Sequence, residues 1–276
     1  MSGATLAREV SVVRVLAWRE IVRFLRQRHR VMGAVGQPLV FWVLFGAGLR
    51  NSFRLTAGEG GPSFLEYYFP GTLMLVLLFT AIFSTISVIE DRREGFLQGV
   101  LVAPVSRWAM VLGKVLGGTS IAMLHGLIFL LMGLIFQRGT GAWAWMQLGG
   151  LLFVSAVAMT GLGFVIAWRM QSTQGFHAVM NLLLMPMWLL SGAFFPVPDR
   201  VVGMPWSQWA LHWVMRANPV TYCVAGVRRV WTGTDLPAGY YQPSLAAAWS
   251  VSLVFAAFFV VAATRIARTR TTGDAL

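Results

Sequence analysis

The sequence predicts an all-α integral membrane protein: six transmembrane helices, an N-terminal amphipathic interfacial helix, and an outer re-entrant helical segment between spans five and six. Three observations carry this. Six long apolar stretches, 31–49, 67–89, 108–136, 143–168, 177–197 and 245–264, recur along the 276 residues, each long enough for a helix to cross the hydrocarbon core. The composition, 57% apolar and 12% charged, is that of a polytopic membrane protein. Arginines gather beside the ends of the stretches, as anionic headgroups and topology signals require.

These observations also exclude. All ten acidic residues lie outside the stretches or at their margins, whereas a gradient-driven carrier usually needs an intramembrane carboxylate to hold its ion. Energy for any transport is therefore expected from elsewhere. The formal net charge of +12 fits anionic lipid rather than nucleic acid, because the cations sit at span ends. The one cysteine, Cys223, excludes an internal disulfide and a Cys-based zinc site. No internal repeat or soluble domain is visible. Residues 1–276 read as one membrane domain, with an interfacial helix (1–30), a six-span core (31–264) and a cytoplasmic tail (265–276).

The first thirty residues hold seven arginines and no continuous apolar core of the signal-peptide kind. At 100° per residue, Val10, Val13, Ala17, Ile21 and Leu25 fall on one side of a helix. Arg8, Arg19, Arg23, Arg26 and Arg30 fall on the other. Such a helix is expected to lie flat in the membrane interface, with packing on a soluble partner as the alternative. With the N-terminus inside, fifteen Lys and Arg residues fall on the cytoplasmic side and seven outside, so both termini are expected in the cytoplasm. That count takes Lys114, early in span three, to snorkel back to the cytoplasmic side.

Among the loops, 50–66 reads as a polar exposed turn and 137–142 as a short hairpin. The loop between spans two and three carries most information. It opens with Glu90, Asp91, Arg92, Arg93, Glu94 and Gly95, then sets Phe96, Leu97, Val100 and Leu101 on one stripe of a short helix. Ala103-Pro104 ends that helix, since proline disfavours helical geometry in the residue before it. Spacing alone fits either docking in a groove on another protein or an interfacial helix on headgroups.

Beyond span five, Pro186 permits a kink, and Phe195-Pro196-Val197-Pro198 ends the stretch. Trp206, Trp209 and Trp213 then share one helical face, suited either to an aromatic belt or to a helix dipping into the membrane. Arg216, Arg228 and Arg229 could attract an anionic headgroup or glycan, or bulk phospholipid.

The run Arg93-Glu94-Gly95-Phe96-Leu97, then Leu101-Val102-Ala103-Pro104-Val105-Ser106-Arg107-Trp108 and Gly113-Lys114, resembles the corresponding loop of permease subunits of type-2 ATP-binding-cassette (ABC) exporters. Leu190-Ser191-Gly192-Ala193-Phe194-Phe195-Pro196 and Asn218-Pro219-Val220-Thr221-Tyr222 leading to Arg228-Arg229 resemble the same family. So does the opening basic helix running into Gln37-Pro38. The resemblance implies that residues 90–104 hold the coupling helix that meets a separate ATPase subunit. Phe96 and Gln98 depart from the pattern, where small hydroxyl and acidic residues are common, and a changed contact is expected there. The exit region would include Pro186, Phe195, Pro196, Trp206, Trp209, Trp213, Asn218, Pro219 and Tyr222.

No engine is visible in the chain. Gly113-Lys114-Val115 lacks the hydroxyl and preceding glycine of a Walker A loop, and Gly113 with Gly117 reads instead as a packing pair. His29, His125, His177 and His212 are scattered; His125, the one at membrane depth, is expected to hydrogen-bond between helices. The reading is a non-enzymatic permease subunit of an exporter of a drug, lipid or glycan-type substrate, in the cytoplasmic (inner) membrane of a prokaryote. Its expected partners are an ATPase subunit that binds ATP and Mg, a second copy or a paralogous permease, and membrane lipid. No cofactor is expected on this chain. A scaffold without transport, or a gradient-driven carrier, is the alternative, and Leu97→Asp or Glu94→Lys is expected to abolish transport without unfolding.

Overall fold

In a computed structural model, residues 3–27, 64–133, 141–199, 205–233, 236 and 239–269 are described, with positions 32, 36, 39, 40, 42–44 and 48. The first apolar stretch, with Gln37-Pro38, therefore lies largely outside the described residues, as do His29, most of the 50–66 and 137–142 loops, Arg200 and the end of the tail.

Among the described residues, the helices bounded at both ends begin with α1 (Gly3–Arg26), then α2 (Phe64–Ser84) and α3 (Ile86–Arg93). The hydroxyls of Ser84 and Thr85 donate to Ala81 O (2.7 Å) and Ile82 O (2.6 Å), and such back-bonding bends a helix. Then come α4 (Phe96–Val102), α5 (Arg107–Gly133), α6 (Ala142–Arg169) and α7 (Thr173–Trp188), extended by a π turn (Leu189–Ala193). Helices α8 (Trp206–Ala217), α9 (Pro219–Thr232) and α10 (Leu245–Ile266) complete the order. Side-chain caps set several starts: Ser172, Asn218 and Ser244 accept from the backbone at α7, α9 and α10. Among the described residues no β-strand forms, only one bridge between Pro198 and Tyr240.

Among the described residues, five helical stretches are long and apolar enough to cross a membrane: Glu66–Arg93, Arg107–Gly133, Ala142–Arg169, Thr173–Ala193 and Leu245–Ile266. They match the expected spans two to six. The fifth stops earlier than residue 197, because Gly192 turns to φ +77° and breaks the ladder. Helix α2 is apolar on every side and sits at the centre, with Tyr68, Leu73, Met74, Leu77 and Leu78 fully buried. It packs between α5 and α6; α10 lies against α6 and leaves Val254 and Phe258 exposed.

Helix α1 departs from expectation. It runs alongside α5 in the same direction instead of lying across the bundle. A Cβ on Gly113 would come within 2.7 Å of Leu16 Cβ, and one on Gly117 within 2.7 Å of Glu20 Cβ. Further along, Phe24 meets His125 edge-on at 5.4 Å. The physical reason is a third face on the α1 helix. Glu9, Leu16, Glu20 and Phe24 are all buried, and their spacing places them together between the apolar and arginine sides. The Gly113–Gly117 pair thus serves packing against α1.

Candidate coupling site

The chain turns from α3 into α4 through Glu94 and Gly95, the latter at φ +78° in the left-handed region that favours glycine. This places the last turn of α3 beside α1 and the start of α5. Asp91 is wholly buried there. Its carboxylate accepts from Arg19 Nη1 (3.0 Å) and Nη2 (2.8 Å), from Arg23 Nη1 (2.5 Å), and from Lys114 Nζ. Lys114, seven residues into α5, also donates to Glu20 Oε1 at 2.7 Å, as does Arg19 at 3.2 Å. Arg23 reaches out to Glu90 (3.1 Å) and Glu94 (3.0 Å). One knot of charges thus joins α1, α3 and α5.

The neighbouring contacts tighten the same joint. The Arg19 guanidinium lies 3.6 Å over the Phe96 ring, tying α1 to α4. Burial works against its charge, but the bonds and field of Asp91 outweigh that and raise its pKa above the ordinary arginine value. Glu9 accepts from Ser106 N (3.3 Å) and Ser106 Oγ, fixing the entry to α5. Arg92 donates to Trp168 O (2.8 Å) and Met170 O (3.1 Å), so a cation meets the C-terminal carbonyls of α6. Gln98 Nε2 donates to Arg92 O at 3.2 Å.

The expected coupling residues therefore divide. Asp91 and Leu97 are buried within the chain and cannot touch a partner, so Leu97→Asp would disturb the core rather than a docking surface. Arg92, Phe96, Val100 and Leu101 are half-buried. Arg93, Glu94, Gly95, Gly99, Pro104 and above all Val102, 86% exposed, form the outward surface. Beside it a groove of about 450 Å³ runs between α1 and α4, lined by Val12, Val15, Leu16, Phe96 and Val100, with Arg8 at its rim. Lys114 does not snorkel. It is buried, because Asp91 and Glu20 hold it. Sequence reasoning missed both acids of α1; Glu9 and Glu20, eleven residues apart and hence on one face, were the signal that could have found them.

At the opposite end of the bundle, Asn218 Nδ2 donates to Met187 O (2.5 Å), one residue past Pro186. Pro219 follows as the first residue of α9. The Tyr222 and Tyr241 hydroxyls lie 3.5 Å apart, and Tyr241 N donates to Val197 O (2.8 Å), just after Pro196. Phe195, Trp206, Trp209 and Trp213 are exposed. Arg216 lies 4.8 Å over the Tyr241 ring. Arg228 is not available to a headgroup, since it is buried. Nor does His125 bond between helices: its Nδ1 meets Ile121 O of its own helix at 2.9 Å.

The short helix α4 thus hangs between two helices long and apolar enough to cross a membrane and is braced by α1. The ABC-2 type transporter family matches residues 11–232. The chain belongs to that family. It is 24% identical over 217 residues to the protein named transport permease ycf38 of Cyanophora paradoxa, covering 78% of this chain and 72% of that one. It is 23% identical over 257 residues to the inner membrane transport permease YadH of Escherichia coli K12, covering 91% and 93%. Against nodulation protein J of Rhizobium meliloti the identity is 25% over 228 residues, covering 80% and 79%. As an ABC-2 permease the chain is a multi-pass membrane protein, and its residues 86–104 lie within the family match.

Proposed function

We propose that this ABC-2 permease is the membrane subunit of an ATP-driven exporter, and that a separate ATPase subunit drives it by pressing on α4. The observation that carries this reading is the Asp91 knot. The outward surface of α4 is held through Arg19 and Asp91 to α1, α3 and α5 at once. Because α3 continues α2 with a single bend at Thr85, displacement at Val102 reaches the central helix directly.

ATP and Mg belong, on this reading, to the partner. Two permeases, identical or paralogous, enclose the path, in the inner membrane of a prokaryote with both termini cytoplasmic. The cargo is a drug, a lipid or a glycan-type molecule. A gradient-driven carrier is disfavoured even though Glu9, Glu20 and Asp91 are buried, because Glu9 already accepts from Ser106 and Glu20 from Lys114 and Arg19. All four lone-pair positions of Asp91 already accept from Arg19, Arg23 and Lys114, leaving none for a transported cation.

The test is purification of the tagged chain from its own membranes in mild detergent, with partners identified and ATP hydrolysis assayed. A nucleotide-binding subunit in fixed ratio, lost on Val102→Asp while the permease elutes unchanged, is the expected result. A stable permease assembly without any ATPase would favour the scaffold reading instead.

A further inference from the structure

We propose that Arg228 is the positioning residue of a clasp that holds the broken end of α7 shut, and that letting go of the Gly192 carbonyl is what opens the path at that end. The π turn leaves carbonyls that a continuous helix would have satisfied, and in an apolar surrounding each needs another donor. Side chains from two other helices supply them. Gly192 O accepts from Arg228 Nη2 (2.7 Å) and from Tyr67 Oη (2.9 Å). Met187 O accepts from Asn218 Nδ2 (2.5 Å). Trp188 Nε1 donates to Gly71 O of α2 at 2.8 Å, and a Cβ on Gly71 would lie 2.5 Å from Ala193 O, so the turn is pressed against α2 as well.

Arg228 is unusual among these donors. It is 4% exposed, and among the described residues no carboxylate pairs with it. Its charge is met by the Gly192 carbonyl at the negative end of α7 and by the Tyr67 ring, 4.1 Å from the guanidinium carbon. Its Nε has no hydrogen-bond partner among the described residues. A neutral amide could have donated to one carbonyl at far lower desolvation cost. A cation held by a dipole and a ring face binds firmly while the turn keeps its shape, and loses its compensation once the turn moves. That makes the contact two-state, which is what a gate requires.

The chain carries its own reporter. Cys223, five residues before Arg228 on α9, is fully buried, 3.3 Å from Ser252 Oγ. Its reaction with a maleimide requires α9 to separate from the neighbours that cover the thiol, among them α10 at Ser252. The experiment is the labelling rate of the purified chain, wild type against Arg228→Met and Tyr67→Phe. Global loosening is monitored by Ala122→Cys in a Cys223→Ser background, since Ala122 is equally buried on α5. Loss of one charge-assisted hydrogen bond to a locally opening element is expected to raise the Cys223 rate at least about tenfold in Arg228→Met. Tyr67→Phe is expected to raise it less, and the Ala122→Cys control labels at its unsubstituted rate when either substitution is added. Cys223 rates equal to wild type in both variants would overturn the clasp, and so would an equal rise at the Ala122→Cys position. If Arg228→Met does not elute as folded protein, Tyr67→Phe decides by the same criteria. The gating step rests on the exporter reading, but the labelling needs neither ATP nor a partner. Faster labelling in a chain that never binds an ATPase would keep the clasp and remove the exporter.

Discussion

Asp91 and Leu97 stand close together in the sequence with opposite outward character, yet both are buried and both act inside the chain. Breaking an isolated buried ion pair costs about 3–5 kcal/mol; here the loss is smaller, because Asp91 keeps Arg19 and Arg23 and Lys114 keeps Glu20. Lys114→Met and Asp91→Asn are each expected to lower the thermal midpoint in detergent. The double variant is expected to lose less than the sum of the two, because it removes one charge of each sign from the knot; additive losses would show that the two side chains act separately. Leu97→Ala is expected to cost about 2–5 kcal/mol through the cavity it leaves. Val102→Ala, at the exposed end of the same helix, should stay within about 0.5 kcal/mol, as read by the same melting curves.

At the scale of elements, the close approach of α1 and α5 depends on Gly113 and Gly117. Gly117→Leu would drive a side chain into Glu20 and the Ala17 carbonyl, and overpacking of this kind forces helices apart. Limited proteolysis after the arginines of α1 should then run faster than in wild type, while cuts elsewhere stay unchanged; equal rates would mean that the helix is held some other way. Much of the element order was legible in advance. Uninterrupted apolar runs located the crossing helices, and the Phe96–Leu101 stripe with Pro104 located α4, because both signals are local. The placement of α1 was not legible from its amphipathic pattern. Arginines and valines divide it into two sides, and its mating face is a narrow third one carrying two acids whose partners, Lys114 and Ser106, lie about a hundred residues away. Arg19 and Arg23 look on paper like headgroup ligands for the same reason: their partner Asp91 becomes a neighbour only once α1 stands against α5. The clasp at Gly192 is equally nonlocal, since its donors come from α2 and α9.

For the whole molecule, on the exporter reading, α1, the α3–α4 turn and the first turns of α5 move as one lever, driven at α4 and working on the central α2. Conformational coupling of this kind needs a unit that moves without deforming. The most direct measurement is the distance between spin labels at Ser11 and Arg93, both exposed, in a Cys223→Ser background with the ATPase bound. A single narrow distance, the same without nucleotide and with ATP trapped, is predicted for the wild-type knot, and a broadened one when Asp91→Asn is added. A wild-type distance that shifts between the two nucleotide states would mean that α1 slides against the α3–α4 turn, and that the charges at Asp91 are not what carries the movement.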